Sequence, residues 1–469
     1  MTPGQTPQKA PPLTRAQIWT ISALAATCAA SYALTAVFRH QHFDSSVDLG
    51  IFDQAVWHLS RFEAPSSSIR GFSNLFGDHF HPIILLFAPL YWLAPAAETL
   101  LVAQAVLFGA SIVPVFLFMR TRLPWGTSVA LSAAYGLFWG LQRAANFDVH
   151  EVAFAPLAIA MAILAMDRRR WTLFWISCVA VGLVKEDLIP FLTGLGVYLT
   201  ISGEPRRGAV LTAASLVAFW AVLRVVIPAF GEGLSYNYLS SYGDVMRRPW
   251  TIPIQLVVPT VKLQTIVLWL APFAFLSLRS PLALLVVPLA LERFLSESPN
   301  FWGASFHYTA PLAPILAMSA GDGLARLARQ TANPLTRTRL MRGAVTASLL
   351  LSSLLPGRQP HWRLLTSKHY RAAPFEAEGN RVLALIPANA SVAAQTALLP
   401  HLSQRNHIYV LDPGAPDTDF IVSTSHVSPW PVASLDQLSE LVAARRRRGY
   451  TVQVDRDGWQ LLRRDESNP

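Results

Sequence analysis

The stretch that decides the fold runs from residue 16 to residue 57. It opens with AQIWTISALAATCAASYALTAVF (16–38), a run without a single charge, long enough for a hydrocarbon core that asks for about 20 apolar residues. After Arg39 it continues as Phe43-Asp44-Ser45-Ser46-Val47-Asp48-Leu49-Gly50-Ile51-Phe52-Asp53-Gln54-Ala55-Val56-Trp57. From Leu49 onward, Ile51, Phe52, Ala55, Val56 and Leu59 recur at helical spacing, which predicts an amphipathic helix lying on the membrane. Asp48 falls at its N-cap, where a carboxylate accepts backbone N–H bonds and suits the positive helix end. Two roles are open to it there: a cap, or a carboxylate held rigidly at the lipid–water boundary. Because Arg15 flanks run 16–38 and small residues end it, a signal peptide is a second reading of the run; that reading moves no other loop across the membrane.

Outward from this stretch, the composition says the same. Of 469 residues, 52% are hydrophobic and only 14% are charged, against about 25% charged in an ordinary soluble domain. Further apolar runs span 98–119, 125–142, 151–166, 171–184, 187–201, 207–229, 255–277, 281–296, 306–325 and 342–356. Run 81–95 carries Pro82, Pro89 and Pro95 and is too short to cross comfortably, so it reads as re-entrant or interfacial. With the N-terminus inside, the cytosolic segments hold fifteen bases, among them Lys9, Arg122 and Arg168 to Arg170, against Asp167 and Glu204. The outer segments through residue 305 hold eight bases and fourteen acids. This positive-inside pattern predicts about eleven spans in a bacterial plasma membrane, with the N-terminus in and the C-terminus out. The net charge of +10 is therefore topology, and nucleic-acid binding is excluded as its cause. Both cysteines, Cys28 and Cys178, lie in apolar runs, leaving neither a disulfide framework nor a Cys-based zinc site.

The expected organisation is a cytosolic tail (1–15), a helix bundle (16–356) with a first outer loop (39–97), a linker (357–374) and an outer α/β domain (375–469). In the last, Glu376–Ile386 and Ser434–Arg447 read as helices, and Ser391–Gln395, Ile408–Leu411 and Phe420–Ser423 as strands. A hairpin is expected around Asp457-Gly458. No glycine-rich phosphate loop and no catalytic set stand out in it, so it reads as an accessory or recognition module.

The candidate site residues all fall toward the outer side. Gly77-Asp78-His79-Phe80-His81-Pro82 precedes the interfacial run. Histidines at i and i+2 beside an aspartate can hold a divalent metal, but that spacing is unspecific, and substrate contact or interfacial hydrogen bonding fits equally simple chemistry. Phe147-Asp148-Val149-His150-Glu151 opens a span at its outer end. Lys185-Glu186-Asp187 lies between two apolar runs with almost no loop. At about 2.5–3.5 kcal/mol for each ionised group at mid-bilayer, three adjacent ones must line a wet cavity or pair with one another. Arg224, Glu292-Arg293 and His307-Tyr308 are similar charged or polar intrusions into apolar runs.

These motifs resemble a bacterial polytopic membrane family, domain of unknown function 2079. The likeness lies in Asp48 to Gln54 with Trp57, in His79 to Pro82, in Phe147 to Glu151 and in Lys185 to Asp187. It continues in Ile386-Pro387 with Ala390 to Gln395. The layout is similar, more distantly, to the GT-C class of lipid-linked-sugar glycosyltransferases. That resemblance implies a mainly α, GT-C-like helix bundle with a small extracytoplasmic α/β domain, and a sugar transferred from a polyprenyl-phosphate donor at the outer face. It maps the class's early acidic residue onto Asp48 and its His/Pro stretch onto His81-Pro82. Where that class commonly has an Asp-Glu pair, this chain has Asp48-Leu49. The implied chemistry needs a base for the acceptor hydroxyl, Asp48 first and Asp53 second. It also needs cations for the departing phosphate, with Lys185, Arg224 and Arg293 as candidates. His79, His81, Asp148, His150, Glu151, Glu186, Asp187, His307 and Tyr308 complete the expected substrate contacts. Two rivals use the same residues: a transporter or lipid-carrier flippase, whose broken helices the many in-span prolines would supply, and a non-catalytic envelope scaffold.

Overall fold

The computed structural model describes residues 11–232 and 236–465; Lys9 and most of the expected cytosolic tail lie outside them. All eleven apolar runs are helical over most of their length. The helices of nine residues or more are α1 (Arg15–Gln41), α2 (Val47–Ser60), α3 (Ala97–Met119), α4 (Trp125–Gly136), α5 (Trp139–Phe147), α6 (Ala155–Asp167), α7 (Trp171–Val184), α8 (Ile189–Ile201), α9 (Pro205–Ala221), α10 (Val261–Leu270), α11 (Val287–Leu295), α12 (Leu312–Gln330), α13 (Pro334–Leu354), α14 (Pro374–Ala384) and α15 (Leu435–Arg447). Among the described residues three helical stretches are long and apolar enough to cross a membrane unaided: Arg15–Gln41, Ala97–Met119 and Pro205–Phe230. Several of the other runs are broken where proline removes a backbone donor, so that α11, for example, is entered through a 3₁₀ turn, Pro281–Val286. Run 81–95 forms only Pro82–Phe87 and Ala88–Tyr91, ten residues that are too few to span.

Small residues set the close approaches. A Cβ on Gly208 of α9 would lie 2.2 Å from Thr200 Oγ1, and one on Gly196 of α8 would lie 2.4 Å from Thr212 Oγ1. The α8–α9 hairpin therefore packs backbone to backbone, as small residues allow in lipid, and it supplies one wall of the cavity described below.

After α13 the chain builds a five-stranded sheet from β1 (Val392–Ala394), β2 (Ile408–Val410), β3 (Phe420–Thr424), β4 (Tyr450–Arg456) and β5 (Trp459–Arg464), in the order β2-β1-β3-β5-β4. β1 is parallel to β2 and β3, whereas β5 pairs antiparallel with β3 and β4. The β4–β5 turn is made by Asp457 and Gly458, both at positive φ, as a tight hairpin turn requires.

Two expectations about the first outer loop change. Helix α2 does not lie free on a membrane surface. Leu49, Phe52 and Val56 join the bundle core, while Gly50 abuts Leu399 of the sheet domain, and Gln54 Nε2 donates to Arg405 O at 2.8 Å. Both faces are covered because the sheet domain docks on the side that periodicity left polar. Nor is Asp48 the cap. Ser46 is the N-cap, accepting from Asp48 N at 3.3 Å, so the Asp48 carboxylate, on the second helical residue, is left for other work.

Candidate functional site

Ten of the residues singled out in the sequence converge on one cavity of about 980 Å³: Asp48, His79, His81, His150, Glu151, Lys185, Glu186, Asp187, His307 and Tyr308. Each is delivered by an element end. Asp48 comes from the first turn of α2, and the two histidines from the segment before Pro82–Phe87. His150 and Glu151 follow α5, residues 185–187 form the hinge between α7 and α8, and the last pair precedes α12.

The hinge organises the charges. Lys185 Nζ lies 3.0 Å from Glu151 Oε1 and 3.8 Å from Asp187 Oδ2. Glu186 does not join that pairing, because His79 Nδ1 (2.5 Å), Tyr236 OH (2.7 Å) and Phe80 N (2.8 Å) claim its two oxygens. Asp48 Oδ2 is 3.6 Å from His150 Nε2. Burial by itself would raise the Asp48 carboxyl, but His150 and the Ser46 hydroxyl outweigh it and hold the group below its ordinary range. His150 in turn stacks on His307 with ring centroids 3.7 Å apart. His81 is buried with both ring nitrogens unpartnered, and burial pushes its pKa down to about 4, so it is neutral at pH 7. Asp187 Oδ1 and both nitrogens of His307 are likewise buried without a partner. Buried polar atoms are ordinarily satisfied, and their concentration here marks a place built for something else.

The other four singled-out residues lie elsewhere. Asp53, 1% exposed, accepts from Tyr91 OH, from Ser403 Oγ at 2.6 Å and from Gln404 Nε2 at 3.2 Å, and so ties α2 to the sheet domain. Asp148, at φ 110°, is latched by Arg39 and by the Ser46 amide (2.7 Å) and hydroxyl (2.5 Å). That latch bends the chain so that His150 and Glu151 face the cavity. The Arg293 guanidinium is spent on Phe301 O (2.8 Å), Gly303 O (3.0 Å) and Thr309 Oγ1 (2.8 Å), shaping the loop before α12. Arg224 lies in a single π-turn, Val222–Val226, exposed on the helix exterior and off the cavity wall.

Sequence reading passed over three tyrosines. Tyr236 meets Glu186, Tyr238 OH donates to Asp78 Oδ1 at 3.0 Å beside Arg70, and Tyr242 OH donates to Glu292 Oε1 at 3.1 Å. Together they fasten the segment 236–242 across the cavity. Val410 and Trp430 of the sheet domain also line it. Away from the charges the wall is apolar: Pro190, Gly194 and Val197 of α8, Leu216 and Phe219 of α9, Leu223, and Pro288, Leu291 and Leu295 of α11. Among the described residues, no three His, Cys, Asp or Glu side chains group with metal-holding geometry.

The architecture is that of GT-C glycosyltransferases. ArnT from Cupriavidus metallidurans in the apo state superposes with a TM-score of 0.52 at 13% identity, over 96% of this chain and 98% of that one. The oligosaccharyltransferase AglB from Archaeoglobus fulgidus, in complex with an inhibitory peptide and a dolichol-phosphate, gives a TM-score of 0.45 at 13% identity. That likeness covers 83% of this chain and 64% of that one. No curated protein matches by sequence. The family model for predicted membrane protein DUF2079 matches residues 39–461, and the chain belongs to that membrane-protein family.

Proposed function

We propose that this chain is a membrane glycosyltransferase that moves a sugar from a polyprenyl-phosphate donor to an acceptor hydroxyl at the outer face of the membrane. The observation that carries the reading is the division of a single cavity into a charged end and an apolar wall. A lipid-linked sugar is divided in the same way, with a long hydrocarbon chain, a phosphate at the boundary and a polar sugar beyond it. In this reading the isoprenoid chain lies along α8, α9 and α11, and the phosphate meets Lys185, a cation of the cavity lining at the hinge that leads into α8. As the glycosidic bond breaks, charge grows on the phosphate oxygens, and a positioned ammonium stabilises it more than it stabilises the ground state.

Asp48 then takes the acceptor proton. Its neighbour His150 keeps the carboxylate ionised at neutral pH, and the side chain is 32% exposed, reachable from the cavity. A base on the face opposite the leaving phosphate gives one displacement and inversion at the anomeric carbon. Asp187, with one oxygen unpartnered, and the neutral His81 are placed to hydrogen-bond sugar hydroxyls. In this reading the sheet domain, whose Val410 and Trp430 line the cavity, meets the acceptor, a contact that alternating access does not require. The orientation that goes with this reading has the N-terminus and the Asp167–Arg170 turn in the cytosol, and 39–97 with 357–469 outside.

The test is a panel of polyprenyl-phosphate sugars offered to the purified full chain in detergent with a pooled envelope-glycan acceptor. Release of polyprenyl phosphate together with acceptor glycosylation supports the reading. If no donor in the panel is bound or consumed, the reading fails.

A further inference from the structure

At the end of the bundle away from the cavity, a cleft of about 370 Å³ is lined by Arg279, Arg326, Leu327, Arg329 and Gln330. The volume falls at the small end of the range of about 300–1,000 Å³ that ligand sites occupy. Its lining holds three guanidinium groups and no carboxylate. Arg326 is tied back, Nε donating to Asp322 Oδ2 at 2.6 Å, whereas Arg279 and Arg329 are exposed and form no ion pair among the described residues.

Packing fixes the cleft. Gly323 of α12 lies so close to the Leu276–Arg279 turn that a Cβ there would be 2.1 Å from Leu276 O and 3.1 Å from Arg279 Cβ. The chain reaches that turn through Ala274 and Phe275, at φ 50° and 58°, a left-handed backbone that residues other than glycine adopt only when their surroundings impose it. On the same segment Phe275, Leu278 and Leu284 are exposed apolar side chains, so the cleft opens beside a surface suited to acyl chains. Arginines that serve topology need only be on the correct side of the membrane. Arg337 and Arg339, for instance, are exposed on α13 and are not part of this cleft's lining. Here three arginines line one shared space, and two of them have no carboxylate partner among the described residues, which suits that space to an anion.

We propose that this cleft binds the phosphate of an anionic phospholipid headgroup in the leaflet opposite the cavity. A guanidinium presents paired N–H donors that match two phosphate oxygens, and basic clefts between membrane helices take such headgroups. Short-chain phosphatidylglycerol titrated into the full chain in uncharged detergent, with thermal unfolding as the readout, tests it. Phosphatidylcholine of the same chain length and inorganic phosphate run alongside. Phosphatidylglycerol should raise the melting temperature saturably and phosphatidylcholine should not. The double variant Arg279→Gln/Arg329→Gln should keep its lipid-free melting temperature and weaken the apparent Kd roughly 30-fold. Arg337→Gln/Arg339→Gln should weaken it less than about threefold. Equal response to both lipids, or undiminished binding in the Arg279/Arg329 variant, overturns the proposal. Inorganic phosphate matching the lipid's effect overturns the headgroup as the source.

Discussion

The two ends of the bundle both bury charge, and they do so in opposite ways. At the end away from the cavity, Arg122 donates to Asp167 (3.1 Å to Oδ2), Thr121 Oγ1 (2.9 Å), Phe118 O (3.1 Å) and Asp322 Oδ1 (3.4 Å). Its guanidinium carbon lies 3.7 Å from the Phe118 ring centroid. Asp322 accepts from Ser280 Oγ at 2.7 Å and Arg326 Nε at 2.6 Å. Among the described residues no buried side-chain atom of Arg122, Asp167 or Asp322 lacks a partner. At the cavity end, by contrast, His81, His150, Asp187 and His307 all keep buried atoms without one. A satisfied cluster holds helices together; an unsatisfied one, stable only because the surrounding fold imposes it, waits for a ligand. The comparison separates what each cluster is for, and it can be broken from either side.

The largest effect is expected at Asp48. Since Ser46 does the capping, Asp48→Asn should leave the melting temperature unchanged while turnover falls by about 10²–10⁴-fold, because an amide cannot take up the proton. Single-turnover glycosyl transfer on the purified variant measures it. Full activity in the Asn variant would return the role to another cavity carboxylate, with Glu151 the next to test.

At the satisfied end the loss should be structural. Arg122→Met strands Asp167, while Asp322 keeps Ser280 and Arg326, and removing one partner of a buried pair costs about 3–5 kcal/mol. The melting temperature should drop sharply, with transfer activity per folded molecule unaffected. A variant as stable as the parent would erase the distinction drawn above.

Asp53 joins the cavity half to the sheet domain, and its effect is a pH dependence. Burial pushes its carboxyl up to about 6 from 3.8, although three donors oppose the shift. The folded state therefore favours the protonated form. The stability this contributes is full below about 3.8 and is lost as pH rises through about 6, a change of about 3 kcal/mol at most. Asp53→Asn carries no such term. The melting temperature of the parent relative to this variant should fall between pH 4 and pH 7. A difference that stays constant across that range would mean the three donors keep Asp53 ionised throughout.

How far the sequence could be read follows from the range of each signal. Hydropathy and charge bias are local, and they located the helical runs and the strands of the sheet domain closely: Ile408–Leu411 was expected and Ile408–Val410 is found. The α2 cap was missed by two residues because an apolar period marks a face and leaves its first residue open. Asp53 is legible as a carboxylate in the expected surface helix and Asp148 as one at the start of a span, but their partners Ser403, Gln404 and Arg39 are supplied by folding and carry no sequence mark. Tyr236, Tyr238 and Tyr242 carry no charge to mark them, although three tyrosines in seven residues between two apolar runs is a signal that could find them. Trp430 reaches the cavity only because the sheet domain docks on α2, which nothing local foretells.

The smallest effect, and the sharpest use of the comparison, concerns Lys185. Its ammonium lies 3.0 Å from Glu151 and 3.8 Å from Asp187, which by itself is a pair of the kind found at the other end. If pairing were its whole purpose, Lys185→Met would resemble Arg122→Met and cost several kcal/mol. The surroundings differ, however. His81 and His150 lie near enough to Glu151 to feel its charge, and each has a buried nitrogen with no partner, so polar groups free to reorganise surround the carboxylate that Lys185 would leave. The cavity also admits water to what Lys185 vacates. The fold should therefore survive with a small fall in melting temperature, while binding of a polyprenyl phosphate weakens roughly tenfold, the loss of one charge-assisted contact. Lys185→Arg should recover little of it, because the wider guanidinium must displace Glu151 or Asp187 to fit. Thermal unfolding and lipid-phosphate binding measured on one preparation decide between the two. A badly destabilised protein that binds the lipid phosphate as before would assign Lys185 to the bundle and leave the cavity without its cation.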